Sequence, residues 1–430
     1  MVKAREDAKS VYFLGLRYVC NIASVLYSSR LIYSTIADRL SVYDSLVSYS
    51  FILFIVSQLY NSTLTRFYAR KGYEHELSSL FWKIFRFQIF IGFLIYVILA
   101  IKHNDISLLF FEIFLQQMML ALYSYEVTKL SVTGGFKRLS VVGVLESVVR
   151  LLSIILLHKY NLLTLHSLIG ANVLATLVSY TLLNVRSKKM MKSTLDVYTV
   201  SNYFRLNTPA IISNYLRQHP LVIFINGQLD VGQGGDRLVA GQFYNVTLGL
   251  LNGAFQQIRS SFINNKASKR NLEDLAHSFA ALLRLYLIAS ILFHVAWLLG
   301  LGNLIEWWWR PSDSMLVSLI FWYSNLAFLE FFQGVLMMFH LAGRNVLKLQ
   351  MVVLTYEVVS ILILVLTYIL FSSPQILLIV KLLLTGLSFI LYIKLLEEDD
   401  LQILNYGCSI NIMLLVAGVL VFIFDVIVAI

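Results

Sequence analysis

The sequence predicts an all-α polytopic membrane protein, built as two six-helix halves followed by a thirteenth helix. Three observations predict it. Hydrophobic residues make up 58% of the 430 residues and charged residues 13%, with a mean hydropathy of +0.75, well outside the balance of a water-soluble domain. Apolar runs of about 18 residues or more, long enough to cross a bilayer as helices, recur twelve times in two sets of six, with one more at the C-terminal end. The loops between them are basic on every second occasion.

The first half reads as spans over 11–34, 41–63, 80–101, 106–128, 139–158 and 161–184. The second reads as 203–227, 238–258, 279–302, 314–340, 349–371 and 374–394, and the extra span as 409–430. The expected domains are an N-terminal six-helix bundle over 1–190, a C-terminal six-helix bundle over 199–396, and an additional transmembrane helix within 405–430. The first span carries Arg17, Asn21 and Arg30 and is followed by no small-residue cleavage site, so it reads as a retained helix rather than a signal peptide. No interior loop is long enough to hold a separate soluble domain.

Orientation follows from Lys and Arg in the short loops. One side holds Lys3, Arg5, Lys9, Arg66, Arg70, Lys71, Lys129, Lys137, Arg138, Arg186, Lys188, Lys189, Lys192, Arg259, Lys266, Lys269, Arg270, Arg344 and Lys348. The other holds Arg39, Lys102, Lys159, Arg237 and Arg310. Nineteen against five places the N-terminus in the cytoplasm. A missed span would have reversed every later loop, so the alternation also supports the count. The net charge of +10 is therefore a topology signal that meets anionic headgroups rather than nucleic acid. Cys20 and Cys408 offer neither a disulfide framework nor metal-ligand spacing.

The halves read as an internal duplication. The second span runs into the basic stretch Arg66–Leu80, and the eighth into Ser260–His277. Gly134-Gly-Phe-Lys-Arg138 followed by Leu145-Glu-Ser-Val-Val149 parallels Ala342-Gly-Arg-Asn345 followed by Tyr356-Glu-Val-Val359. Duplicated halves in a membrane protein point to a transporter with its substrate path between them.

Polar residues inside the spans mark the candidate site. Arg17, Asn21, Ser24 and Ser28 are spaced 4, 3 and 4, one face of a helix. That stripe fits either a helix–helix interface or the lining of a water-filled cavity, and the arginine favours the cavity. Gln242, Asn245, Gly249, Asn252 and Gln256 repeat the pattern in the eighth span. Ser213, Asn214 and Arg217 lie in the seventh, ahead of His219 and a helix-kinking Pro220. Arg30 is a further candidate nearer the outer end, and Asp44 is the carboxylate considered for ion coupling. Glu146 and Arg150 stand i,i+4 and read as a structural pair. Trp307-Trp308-Trp309-Arg310 reads as an aromatic anchor in an outer loop.

The chain resembles the polysaccharide and O-antigen flippases of the MATE-like flippase superfamily, MOP, over residues 1 to 396. The resemblance rests on Thr63-Leu-Thr-Arg-Phe-Tyr-Ala-Arg70, Arg205-Leu-Asn-Thr-Pro-Ala210, Ala240-Gly-Gln-Phe-Tyr244 and Ala342-Gly-Arg344, in that order and within a twelve-helix frame. It implies two bundles forming a V-shaped central cleft lined by spans one, two, seven and eight. The thirteenth helix departs from the twelve-helix core.

Function follows as an expectation. Arginine binds phosphate bidentately, so Arg17, Arg30 and Arg217 would attract a polyprenyl pyrophosphate, while Asn21, Ser24, Asn214, Asn245 and Asn252 hydrogen-bond its glycan. The expected protein is a flippase moving a lipid-linked oligosaccharide from the cytoplasmic to the outer leaflet, by alternating access, for O-antigen, lipopolysaccharide or other cell-surface polysaccharide biosynthesis. It would sit in the bacterial inner membrane with a polysaccharide polymerase and chain-length machinery as partners, and use no cofactor and no metal. A multidrug antiporter of the same superfamily is the first alternative. A membrane glycosyltransferase or polymerase is the second, with Asp230, Asp236 and Arg237 as its only outer-loop candidates. No catalytic motif supports an enzyme.

Overall fold

The computed structural model describes residues 2–40, 42–48, 50, 74–102, 104–132, 136–184, 197–229, 233, 235–249, 251, 272–310, 315–341, 346–396 and 398–429. Among these residues the chain is helical and contains no strand. The helices are α1 (Val2–Ile36), α2 (42–48), α3 (Glu74–Lys102), α4 (Asn104–Val132), α5 (Phe136–Lys159), α6 (Leu165–Asn184) and α7 (Val197–Gln228). They continue as α8 (235–249), α9 (Leu272–Ala296), α10 (Gly302–Trp309), α11 (Met315–Leu341), α12 (Val346–Leu370), α13 (Pro374–Lys394), α14 (Glu398–Ile410) and α15 (Ile412–Ala429). Eight stretches of the described chain are long and apolar enough to cross a membrane by themselves, and the bent pair α14–α15 makes a ninth. The expected spans over 11–34 and 203–227 lie inside the long helices α1 and α7. Residues 51–73 and 252–271, and with them most of the second span, the Thr63–Arg70 motif and the end of the eighth span, fall outside the described residues.

The chain packs as two compact units. The first comprises 1–226 with 230–235, the second 227–229 with 236–430. Helix α7 therefore packs with the first unit, although it opens the second half of the sequence.

In the first unit α1 lies along α5, α5 along α6, α4 along α6, and α3 along α4. Stacked aromatics seal the α3–α4 contact: the Phe81 ring lies 4.1 Å from Tyr125 and 5.5 Å from Phe85, within a cluster that includes Phe110 and Phe114. The opposite face of α3 exposes Phe87, Phe90, Leu94 and Ile98, a stripe at helical spacing. In water that stripe would be a liability; in a bilayer it is the lipid contact.

In the second unit α11 is the central helix. Of its Met315–Leu336 stretch 72% is buried, against 28% for Gln350–Leu370 of α12, because α11 packs on α13 and, through the Phe279, Phe328, Phe331 and Phe339 cluster, on α9. The outer face of α12 exposes Leu362, Leu366 and Ile369.

Two spans differ from expectation. The ninth does not end at 302. Helix α9 kinks within Trp297–Leu301 and the chain resumes as α10, so the Trp307–Trp309 run is helical rather than a loop. Gly300 takes φ 103° there, a conformation strained for any other residue. The whole stretch Glu273–Trp309 covers 37 residues, more than the roughly 20 that one straight helix needs to cross a bilayer, and the kink at Gly300 divides it.

The thirteenth span is broken too. Helices α14 and α15 meet at a 72° bend. Asn411 makes it: buried, it donates from Nδ2 to the carbonyls of Ala280 (3.0 Å) and Gly407 (2.8 Å) and accepts from Arg284 Nε (3.2 Å). Its neighbours then track α9 in parallel. Gly407 lies against Phe279, Gly418 against Leu287 and Ile291, and Phe422 against His294. The acidic residues Glu398, Asp399 and Asp400 form the first turn of α14, where the helix dipole favours negative charge.

Candidate functional site

The α1 stripe faces α5. Ser24 Oγ donates to the Ser147 carbonyl at 2.9 Å, and Ser147 Oγ donates to Asn21 Oδ1 at 3.4 Å and to the Gly143 carbonyl at 3.0 Å. Ser24 and Ser28 are buried, Arg17 is half-buried and Asn21 is exposed. Arg17 lies so close over Gly143 that a methyl group there would stand 2.3 Å from its Nε and 2.8 Å from its Cδ. The i,i+4 pair expected on α5 is present, with Arg150 donating to Glu146 Oε1 at 2.6 Å. Tyr123 of α4 lies in electrostatic reach of Glu146, Arg17 and Arg150. A further hydrogen bond, from Tyr43 to Gln116 at 3.2 Å, continues the polar seam beside Arg150 and Asn172. No carboxylate among the described residues lies within ion-pair distance of Arg17.

A second polar group joins α2 and α7. Asn226 Nδ2 donates to Asp44 Oδ2 at 3.1 Å and to Ser45 Oγ at 3.2 Å. Tyr215 reaches the Ser48 carbonyl at 3.5 Å and stacks on His219 at 4.9 Å. Arg217 is buried here with Ser213 one turn before it. Helix α7 continues through both Pro209 and Pro220. Asn214 lies on α7, but its side chain is outside the described set. Arg30 is half-buried on α1.

The second unit holds Asn245, exposed on α8, whereas Asn252 and Gln256 lie outside the described residues. The buried face of α8 carries chemistry that the sequence reading had placed in an open outer loop. Asp236 and Arg237 begin this helix and are 1% and 6% exposed. Arg237 Nε donates to Tyr323 Oη at 3.3 Å, and Tyr244 Oη donates to Glu330 Oε2. The two tyrosine rings meet edge to face, so the four residues form one continuous chain between α8 and α11. Deeper in the unit, Lys381 of α13 pairs with Glu357 of α12 at 3.5 Å. Of the other intramembrane acids, Glu112 pairs with His166 at 2.7 Å.

Arg17, Asn21 and Ser24 are thus brought together on one seam, and Asp44 is brought to Asn226 on another. Gly143, the Arg237–Glu330 chain and the Lys381–Glu357 pair were not among the expected site residues. The spacing of Arg237, Gly241 and Tyr244 along one helical face was the available signal for the second of these.

No protein-family model and no curated protein sequence matches the chain. Solved structures do match in fold. The chain is similar to the lipid II flippase MurJ in its inward closed conformation, with 13% identity, a TM-score of 0.58, and coverage of 96% of this chain and 97% of that one. It is similar to an inward-facing multidrug resistance MATE family transporter of the MOP superfamily, with 10% identity, a TM-score of 0.57, and coverage of 90% and 98%. It is also similar to a MOP superfamily transporter from Pyrococcus furiosus, described as having a binding pocket of reverse polarity, with 11% identity, a TM-score of 0.59, and coverage of 93% and 96%. The chain shares its fold with these structures.

Proposed function

We propose that this multi-pass membrane protein is a transporter that flips a polyprenyl-pyrophosphate-linked oligosaccharide from the cytoplasmic to the outer leaflet. The fold alone does not choose the substrate, since a lipid II flippase and multidrug transporters share it. The side chains support the anionic substrate. Arg17 sits half-buried in a bundle of membrane helices, beside hydroxyl and amide groups, with no described carboxylate to neutralise it. An intramembrane arginine of this kind suits an anionic ligand, and its fork suits phosphate. Arg217, buried on α7, supplies a second guanidinium.

In this reading the lipid tail stays in the bilayer while the head group passes by alternating access between the halves. Arg30, Asn214, Asn245 and Asn252 would extend the glycan contacts. The setting is the bacterial inner membrane, N-terminus in the cytoplasm, beside the polymerase and chain-length machinery of O-antigen or lipopolysaccharide assembly.

A drug antiporter remains the second reading, favoured by Asp44, whose carboxylate is held by Asn226 and could carry a coupling ion or meet a cation. A transferase loses ground because Asp236 and Arg237 are buried in α8 rather than open to solvent. The test is export of a surface glycan in cells. Arg217→Ala should abolish export in a protein that still inserts, and Arg217→Lys should retain part of it, keeping charge but losing the fork. Full export by Arg217→Ala removes this arginine from the phosphate site.

A further inference from the structure

The Arg17 seat on α5 holds one feature that no polar group explains. Position 143 accepts the arginine only because it is glycine. The three heavy atoms nearest to a Cβ placed there are Nε, Cδ and Cζ of Arg17, at 2.3, 2.8 and 3.0 Å. All three belong to one flexible side chain, and none to a backbone. A methyl group at 143 would therefore move Arg17 rather than break the α1–α5 packing. The surrounding charges give that position a consequence. Glu146, one turn along α5, is already paired with Arg150 at 2.6 Å. Among the described residues Arg17 thus stands beside an already paired Glu146, with no carboxylate of its own within ion-pair distance.

We propose that Gly143 is a positioning residue of the anion site: by leaving room for the Arg17 side chain against α5, it aims the fork at a diphosphate and sets the preference for it. This rests on the phosphate reading of Arg17. It adds that the specificity is written in a missing side chain, since a guanidinium lifted off α5 keeps its charge and loses its bidentate alignment.

The experiment uses the full chain in detergent with inorganic pyrophosphate as the probe, and compares the wild type, Gly143→Ala, Arg17→Ala and the double variant by titration calorimetry and melting temperature. The expected result is at least a tenfold loss of pyrophosphate affinity in Gly143→Ala at an unchanged melting temperature, with no further loss when Gly143→Ala is added to Arg17→Ala. If Gly143→Ala binds like the wild type while Arg17→Ala does not, the positioning role is overturned and the phosphate reading stands. If the wild type does not bind pyrophosphate, or Arg17→Ala binds as well as it does, the phosphate reading of Arg17 falls and the inference with it. If Gly143→Ala is destabilised, removing the Arg17 side chain should restore its melting temperature; persistence of the defect in the double variant overturns the contact on which the proposal stands.

Discussion

Lys381 and Glu357 test how this protein tolerates charge inside its second unit. Their side chains are each 3% exposed and their charged atoms stand 3.5 Å apart. At an effective dielectric of about 20, Coulomb's law gives roughly 5 kcal/mol of attraction at that distance. Withdrawing the two ions from water costs several kcal/mol each. The pair is therefore close to neutral against two apolar side chains of similar volume. Removing one partner is another matter, because the remaining ion stays buried after losing this 3.5 Å contact. We expect Lys381→Met and Glu357→Leu each to destabilise the protein by about 3–5 kcal/mol, and the double variant to lie within about 1 kcal/mol of the wild type. The assay is denaturant unfolding of purified protein in detergent, followed by intrinsic fluorescence, across the four members of the cycle. Single variants that cost less than about 1 kcal/mol, or a double variant whose loss equals the sum of the two, would refute the reasoning.

Asn411→Leu removes the group that accepts from Arg284 and caps the Ala280 carbonyl; it should cost about 1–3 kcal/mol and open the α14–α15 junction to limited proteolysis, whereas unchanged cleavage would show that the bend is held by other contacts. The basic loops predict that Met190→Cys, in a protein freed of Cys20 and Cys408, reacts with an impermeant maleimide only after the cells are permeabilised; labelling of intact cells would invert the topology. Because α15 tracks α9 in parallel, a reporter fused after Ile430 should read the outer side, and a cytoplasmic signal there would mean that α15 does not cross.

The long apolar helices were readable from sequence because their signal is local. Helices α12 and α13 fall within a few residues of 349–371 and 374–394, where continuous apolar runs are separated by Ser372, Ser373 and the helix-starting Pro374. Glu146 and Arg150 were readable for the same reason, since four residues is one helical turn. The bend at Asn411 was not. No proline or charge marks positions 405–415, and the break is made by hydrogen bonds to Ala280 and Arg284 in a helix far away along the chain. The kink at Gly300 lay within a largely apolar stretch where a helix glycine draws no notice. Gly143 looked like an ordinary helix glycine until Arg17 was seen lying on it, and Lys381 and Glu357 had no spacing to betray their contact. The polar stripe of α1 was read correctly as one face, but periodicity cannot say whether such a face meets water or a neighbouring helix. Part of it meets α5.

The proposed activity is passage of a lipid-linked diphosphate head group across the bilayer. The most direct measurement is flipping in proteoliposomes, using a fluorescent polyprenyl-diphosphate oligosaccharide whose outer-leaflet population is quenched by dithionite. The account predicts that the protein brings the quenched fraction from about one half towards completion, that Arg17→Ala and Arg217→Ala do not, and that cationic drugs fail to compete. A wild-type protein that leaves the lipid unflipped but moves a cationic drug against an ion gradient would contradict it.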